Sequence, residues 1–365
     1  MKFRAAQLAD IPELLSIEEQ VFPGDKLSAR QMKRFINSTH NAFILAFKEQ
    51  TITGYALMLF HRGTLLCRLY SIAIAPQYQG QGIARQLLKQ CETIAVSKGY
   101  ITLRLEVRED NFSARALYEK MGFKTLKTLV HYYDDLADGL RLQKRLIPDK
   151  AQVSLPMPLY VQTTPFTCGA ACLQMSFATL NPHYQPSRQQ EIQLWREATT
   201  VFMAAGHGGC SGHGLALAAH RRGYGVELWS QSSGTPFVDS VRQVEKKAII
   251  ELVHDDFCQQ LEQANIPVLT KAPNIQQLET WLKEHACVLV LISTYRFNGN
   301  KEPHWIVLSG MSDDFFFFHD PSVENPNQLV SSASVPINKT ALNQILGFGK
   351  QKHTCCVIIT KSKTR

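Results

Sequence analysis

Long apolar runs are missing from this chain of 365 residues. The longest of them, such as residues 287–292, are far too short to cross a bilayer. No apolar segment follows basic residues near the start of the sequence, so we expect neither a signal peptide nor a membrane partner. Hydrophobic residues make up 45% of the chain and charged residues 19%, proportions typical of a globular protein, and the length is sufficient for two domains with separate cores.

Regularly spaced cysteine pairs are also missing. The chain has nine cysteines, an odd number, and they are scattered. This distribution favours free thiols in a cytoplasmic protein over a disulfide framework.

Basic runs with interleaved aromatic residues, the usual signature of nucleic-acid binding, are not found either. The net charge of +8 is spread along the chain, so it is compatible with an anionic cofactor but predicts no nucleic-acid partner. Internal repeats and low-complexity tracts are absent. The sequence leaves the oligomeric state open.

Alternating strand and helix patterns fill residues 1–147 and predict a first domain. A proline-punctuated stretch, residues 148–158, has no clear period and is interpreted as a linker. A second domain is predicted over residues 159–365. Within it we expect helices after Cys168 and over 187–202, 213–222 and about 255–264, and strands over 288–292, 305–311 and 315–319.

A glycine-rich turn joins a predicted strand to a predicted helix at residues 79–84. Small residues let the backbone approach a ligand closely, and the free N–H groups of a helix start favour an anion such as a pyrophosphate. Taken alone, a tight turn without a ligand explains this segment equally well. Two neighbouring features favour a ligand: Asn111 begins a predicted helix that carries Tyr118 two turns later, and Glu106 ends the strand before it.

Together these motifs resemble the Gcn5-related N-acetyltransferases, and within them the ribosomal-protein alanine N-acetyltransferases. The resemblance implies a mixed, mostly antiparallel sheet with helices on both faces, and acetyl-CoA as co-substrate. It implies that Tyr118 is the general acid and Glu106 the general base, acting through water. The residues implied in acetyl-CoA binding are Ile72, Ala73, Ile74, Gln79, Gly80, Gln81, Gly82, Ile83, Ala84, Arg85 and Asn111.

Cys168 begins a second chemical motif, because it lies at the start of an alanine-rich predicted helix and six residues after Gln162. A helix N-terminus stabilises a thiolate, and an upstream amide can reach the oxyanion that forms when the thiolate attacks a carbonyl. His304 starts a predicted strand, and Asp320 follows the next strand after a sharp turn. If the two strands are antiparallel neighbours, Asp320 can orient His304 as the base for Cys168. Cys172, deeper in the same helix, is interpreted as a small core residue.

These motifs resemble the papain-like peptidases that cut double-glycine leader peptides in bacteriocin exporters. The resemblance implies a papain-like fold and a peptide or protein substrate, with Cys168 as nucleophile, His304 as base, Asp320 as its orienting partner and Gln162 as oxyanion donor. The chain has no transmembrane or ATPase region of the kind found in the exporters, which puts a leader-peptide substrate in doubt.

Residues 206–214 contain two histidines and one cysteine, His207, His213 and Cys210. Their spacing is not that of a zinc site, and no second ligand pair is near. We therefore expect a flexible substrate-facing loop and no metal. His254, Cys258 and His319 are interpreted as structural or surface residues.

The sequence as a whole predicts a bifunctional enzyme, an N-acetyltransferase fused to a cysteine peptidase. Three alternatives stay open. The second domain could be a catalytically silent peptide-binding module, it could transfer acyl groups instead of hydrolysing peptides, or both domains could serve only as an assembly scaffold.

Overall fold

A computed structural model describes most of the chain, and its described residues are 1–22, 24, 26–147, 152–200, 202–203, 206–232, 234–236, 238, 241, 243–295, 302–322, 332–348 and 352–362. The chain divides into two compact units, Met1–Asp149 and Lys150–Arg365. All nine cysteines are free thiols. Among the described helices, none has the length and apolarity that a membrane span requires.

The first unit is built on a seven-stranded sheet with the order β1-β2-β3-β4-β5-β7-β6. Neighbouring strands are antiparallel except for β4 and β5, which run parallel, so the predicted mixed, mostly antiparallel sheet is confirmed. The strands are β1 Lys2–Ala5, β2 Asn41–Lys48, β3 Thr51–Phe60, β4 Leu66–Ile74, β5 Thr102–Arg108, β6 Lys124–Leu129 and β7 Gly139–Arg145.

Helices cover both faces of this sheet, as predicted. Alternate residues of β3 point to opposite faces. Ala56 and Met58 belong to the core under α3 and α4, whereas Tyr55 and Leu57 belong to the core under α1 and α2. The middle of β3 is therefore apolar on both sides. The helices are α1 Ile11–Val21, α2 Ala29–Ile36, α3 Ile83–Ser97 and α4 Phe112–Lys120.

The second unit has a larger sheet whose main path is β12-β11-β17-β13-β14-β15-β16, with β8 paired to the end of β14. A separate two-stranded sheet is formed by β9 and β10. The strands are β8 Val153–Ser154, β9 Phe202–Met203, β10 Gly206–His207, β11 Gly225–Gln231, β12 Val268–Leu269, β13 Cys287–Ser293, β14 Pro303–Met311, β15 Phe315–His319, β16 Val335–Asn338 and β17 Thr354–Thr360. The helices are α5 Cys168–Leu180, α6 Arg188–Ala198, α7 Gly212–His220, α8 Val244–Gln263, α9 Ile275–Lys283 and α10 Lys339–Ile345.

Helix α5 is apolar almost all round and packs on β13 and β14 in the centre of this unit. A helix of this kind needs cover on every side, and α6 and α7 provide it. Cys172 is fully buried there, and its thiol donates to the carbonyl of Trp305 on β14 at 3.5 Å. The start of α5 packs in this way against the strand that carries His304.

Three predicted boundaries are wrong. The helix expected over 187–202 ends at Ala198, because Thr199 is extended and Phe202 belongs to β9. The helix expected over 255–264 begins at Val244, a full three turns earlier. Residues 152–158 of the predicted linker belong to the second unit, since β8 pairs with Gly310 and Met311 of β14, whereas residues 148–151 lie outside the described part of the chain.

Candidate active sites

A gap opens in the first unit between the two parallel strands. The paired residues run from Leu66↔Thr102 to Leu69↔Leu105, after which β4 continues to Ile74 with only β3 beside it. In the described chain, no strand pairs with the other edge of residues 72–74. An extended molecule with amide groups can therefore pair with this edge of β4 in the manner of a strand.

The turn after β4 presents a set of backbone donors. Gly80 and Gly82 both have φ of +75°, and no atom lies within 4 Å of where a side chain would begin at either. The first helical bond of α3 runs from Gln86 N–H to the Gly82 carbonyl at 3.2 Å, so the three N–H groups before Gln86 have no acceptor within the helix. These donors and the helix dipole fit a pyrophosphate. They belong to Ile83, Ala84 and the exposed Arg85.

Two amide side chains fix the ends of the predicted cofactor site. The Gln79 amide donates to the Ile74 carbonyl at 3.1 Å, which ties the turn to the end of β4. The Asn111 side chain accepts from Ala114 N–H at 3.1 Å and caps α4, while its exposed –NH₂ group is left for a ligand. Gln81 donates to the carbonyl of Gln77 at 3.3 Å.

Tyr118 lies two turns after Asn111 and is buried, with its ring edge-on to Phe123 at 5.7 Å. Burial, together with nearby Cys91, raises the pKa of Tyr118 far above its ordinary value. The phenol therefore stays protonated at neutral pH, which is the form that the predicted general acid needs.

Glu106 is not a free carboxylate. Its side chain is 4% exposed and forms an ion pair with Arg68 at 2.7 Å and a second one with Arg141 at 3.3 Å. Arg68 also donates to the Tyr132 hydroxyl at 3.2 Å. The general-base role of Glu106 stays a prediction. In that role, Glu106 would have to accept the proton of the amine on an oxygen lone pair that neither Arg68 nor Arg141 occupies.

In the second unit, His304 lies near enough to Cys168 for each side chain to shift the pKa of the other. Cys168 is the first residue of α5, and Thr167 before it does not cap the helix with its side chain. Burial alone would raise the pKa of the Cys168 thiol, but the hydrogen bond to His304 and the imidazolium charge outweigh burial and lower it. A thiol in this setting has increased thiolate character.

His304 is held on its other side by Asp320. The Nε2 atom of His304 lies 2.7 Å from Oδ1 of Asp320, which leaves Nδ1 for the sulfur. Burial disfavours the imidazolium, yet the Asp320 charge and hydrogen bond raise the pKa of His304 well above its ordinary value. Asp320 is positioned in turn by the N–H of Ser322, which donates to the same oxygen at 2.8 Å. The antiparallel pairing of β14 with β15 that the sequence analysis assumed is present.

Gln162 lies beside the same corner, because its N–H donates to the Pro321 carbonyl at 2.9 Å. Its side-chain oxygen is buried and accepts no hydrogen bond from the described residues. With its oxygen enclosed, the Gln162 amide has its –NH₂ group left to donate a hydrogen bond to a ligand.

One residue near this site was missed by the sequence analysis. Glu191 on α6 is fully buried, and its carboxylate accepts hydrogen bonds from the Tyr160 hydroxyl and from the N–H and hydroxyl of Thr163, each at 2.8 Å. It also accepts from the Thr167 hydroxyl. Glu191 therefore fixes the segment between Gln162 and Cys168. A Ser187 cap and a glutamate in the first turn of α6 were readable in the sequence, but the direction of the side chain was not.

The predicted loop is held at two points: the Trp305 indole donates to the Cys210 carbonyl at 3.0 Å, and the Trp195 indole donates to that of Gly208 at 2.7 Å. The expectation that no second ligand pair lies near is wrong, because α8 brings His254 and Cys258 to His213. His254 and Cys258 lie 41 or more positions after His213, so the local spacing of residues 206–214 does not reveal them. The side chain of His207 lies outside the described residues.

Comparison with known proteins finds a match for each unit. The model of the Peptidase_C39 like family matches residues 157–360, and that of the Acetyltransferase (GNAT) family matches residues 11–123. The chain is 34% identical over 128 residues to the N-alpha-acetyltransferase RimI of Mycobacterium tuberculosis, covering 34% of this chain and 79% of that protein. It is 33% identical over 140 residues to an uncharacterized protein of Mycobacterium leprae, of which it spans only 38%.

Among solved structures, the ribosomal-protein-S18-alanine N-acetyltransferase from Escherichia coli matches with a TM-score of 0.38 and 23% sequence identity, covering 42% of this chain and 97% of that one. The two family matches and the relatives confirm both resemblances that the motifs indicated. The chain belongs to the Peptidase_C39 like family, and its first unit is a GNAT acetyltransferase domain.

Proposed function

We propose that the chain is a bifunctional enzyme of the cytoplasm. Its first domain, residues 1–147, transfers an acetyl group from acetyl-CoA to the α-amine of a peptide or protein. Its second domain, residues 159–365, hydrolyses a peptide bond with a cysteine nucleophile. The observation that carries the second half is the His304–Asp320 hydrogen bond at 2.7 Å beside Cys168, a thiol at the start of a helix whose pKa His304 lowers.

For acetyl transfer, the open edge of β4 binds the extended arm of acetyl-CoA, and the donors at the start of α3 bind its pyrophosphate. The co-substrate supplies a thioester that is activated for attack by an amine. Tyr118 donates a proton to the departing thiolate, and Glu106 receives a proton from the incoming amine through water. An α-amine has a pKa of about 8, against about 10.4 for lysine, so more of it is neutral and nucleophilic at pH 7.

For peptide hydrolysis, the Cys168 thiolate attacks the scissile carbonyl and forms a carbon–sulfur bond. The carbonyl oxygen becomes an oxyanion, to which Gln162 and the start of α5 donate hydrogen bonds. His304 gives its proton to the leaving amine as the carbon–nitrogen bond breaks, and then takes a proton from the water that hydrolyses the thioester. Asp320 keeps the imidazole oriented throughout and stabilises its charged form.

The test is covalent labelling of the full chain with a peptide aldehyde or vinyl sulfone, located by mass mapping. Labelling at Cys168 and its loss in His304→Ala would support the proposal. Cys172→Ala is the matched control, since Cys172 is a fully buried thiol one turn along the same helix and its loss should leave labelling unchanged. A His304→Ala protein that is labelled as fast as the unchanged chain would contradict the proposal and favour a silent module. Product masses measured with an added amine separate hydrolysis from acyl transfer.

A further inference from the structure

Three potential metal ligands meet in the second unit, apart from the residues of the proposed catalytic site. His213 lies in the first turn of α7, and His254 and Cys258 lie one turn apart on α8. One ligand atom from each falls within 4.8 Å of the others. The sulfur of Cys258 is 3.6 Å from Nε2 of His254, and the imidazole rings of His213 and His254 have centroids 4.6 Å apart.

These dimensions suit a tetrahedral divalent metal. Zinc takes bonds of about 2.0–2.1 Å to imidazole nitrogen and about 2.3 Å to thiolate sulfur. In a tetrahedron with those bonds, the nitrogen and sulfur atoms are about 3.5 Å apart. The observed separation of Cys258 and His254 is already close to this value, so only His213 must approach. Two nitrogens and one sulfur form a donor set that favours zinc over magnesium or calcium.

Solvent can reach the cluster. A cavity of about 250 Å³ lies against His213 and Cys258, and its wall includes Glu262, one helical turn beyond Cys258. Cys258 is exposed, so a metal ion has an entry path. A fourth ligand, either water or the Glu262 carboxylate, can approach from this cavity.

We propose that His213, His254 and Cys258 bind one zinc ion, with the fourth coordination position facing the cavity beside Glu262. Zinc would displace the proton of the Cys258 thiol, forming a zinc–sulfur bond and releasing one proton to solvent. The ion would cross-link α7 to α8. This site is independent of the proposed peptidase chemistry and differs from the sequence-based expectation that the chain holds no metal.

The test uses the full chain carrying Cys168→Ala, so that the catalytic thiol cannot bind metal. After treatment with a chelator, the protein is titrated with zinc chloride by calorimetry and with cobalt chloride by absorption. We expect one ion per chain, tetrahedral cobalt bands and a thiolate-to-cobalt charge-transfer band. Protein with no stoichiometric binding of either metal would overturn the proposal.

Variants identify the ligands. Cys258 is exposed, so Cys258→Ser should fold normally. This variant is expected to lose the charge-transfer band and to bind zinc more than about 100-fold more weakly, since even the residues that hydrogen-bond to metal ligands are worth about 10–100-fold in affinity. His254→Gln should weaken binding similarly. His220→Gln, at the exposed end of α7, is the matched control and should bind zinc unchanged. An unchanged charge-transfer band in Cys258→Ser would show that another cysteine binds the metal and that this site is wrong.

Discussion

At the scale of single residues, Cys168 and His304 titrate as a pair, because each stabilises the charged form of the other. The pKa of the thiol is lowered and that of the imidazole is raised, and both shifts favour the thiolate–imidazolium form. Reactivity should rise with pH as the thiolate forms. Peptide cleavage should fall again at higher pH, when the imidazolium loses the proton that the leaving amine needs. The rise and the fall of the pH profile are its acid limb and its alkaline limb. Both limbs report the titration of the coupled pair and not of one residue.

Asp320→Asn tests this coupling. Removing the charge beside His304 lowers the pKa of its imidazolium and withdraws support from the thiolate. The acid limb of Cys168 alkylation by iodoacetamide should therefore move to higher pH, by about one unit. Alkylation of the Cys168 peptide is followed by mass spectrometry across pH. Asp314→Asn, in the exposed turn after β14, is the control and should leave the limb in place. An unmoved limb in Asp320→Asn would contradict the assignment of Asp320.

Glu191 offers a second residue-scale prediction. In Glu191→Gln one acceptor oxygen becomes an –NH₂ donor that faces other donors, and buried hydrogen bonds to a charged group are each worth about 1.5–3 kcal/mol. We expect slower labelling of Cys168 by the peptide electrophile, at least about 10-fold, with acetyl transfer unchanged. Glu197→Gln is the matched control, since Glu197 lies on the same helix, is partly exposed and pairs with Arg222 instead of the segment before Cys168. Equal labelling rates in the two variants would refute a positioning role.

At the scale of elements, α3 is bracketed by two glycines with nearly the same backbone. Gly82 precedes it with φ of +75° and Gly99 follows it with φ of +82°, and both have open space where a side chain would begin. An alanine at either position should cost about 1–2 kcal/mol of backbone strain. Only Gly82 lies in the proposed pyrophosphate site. Gly82→Ala should therefore weaken acetyl-CoA binding at least about 10-fold in a calorimetric titration, while Gly99→Ala binds normally. Equal affinities would locate the pyrophosphate elsewhere.

The same glycines mark the start and the end of α3 in the sequence, where local start and stop signals agree with the apolar period between them. Other elements lack such signals. In the first half of α8, Val244, Ile249 and Leu252 are exposed, so the apolar residues do not mark one buried face. The pairing of β11 with β17 joins residues more than 100 positions apart, which no local pattern encodes.

The candidate sites divide in the same way. Cys168 at a helix start and the His304–Asp320 pair were predictable, because helix caps and neighbouring antiparallel strands are local relations. The meeting of His213 with α8, and the direction of the Glu191 side chain, depend on how helices pack. Packing of distant elements is set by the whole core, and the sequence pattern of one element does not specify it.

At the scale of the whole molecule, the two proposed reactions can act in sequence. Hydrolysis creates a new α-amine, and the first domain is proposed to acetylate α-amines. Because both domains share one chain, the tether would raise the local concentration of a new terminus for the first domain. We expect a cleaved peptide, supplied with acetyl-CoA, to yield a C-terminal fragment that is heavier by one acetyl group in a mass spectrum.

Cys168→Ala is the control for this sequence of reactions. It should produce no fragment from the intact peptide, yet it should acetylate a synthetic copy of that fragment. If the fragment stays unmodified while the same preparation acetylates an unrelated amine, the two reactions do not form a sequence.

The strand β8 has a practical consequence for dissecting the molecule. The last residue pair between β13 and β14 is Val288↔Leu308, and β8 continues the same edge of β14 beyond it. The N–H of Leu155 also donates to the Ser309 carbonyl at 2.9 Å. A fragment cut at residue 157, where the family match begins, would leave Gly310 and Met311 as an unprotected strand edge. Such edges recruit other chains. Cutting before residue 152 keeps the edge covered, so the shorter fragment should aggregate where the longer one remains monodisperse in light scattering.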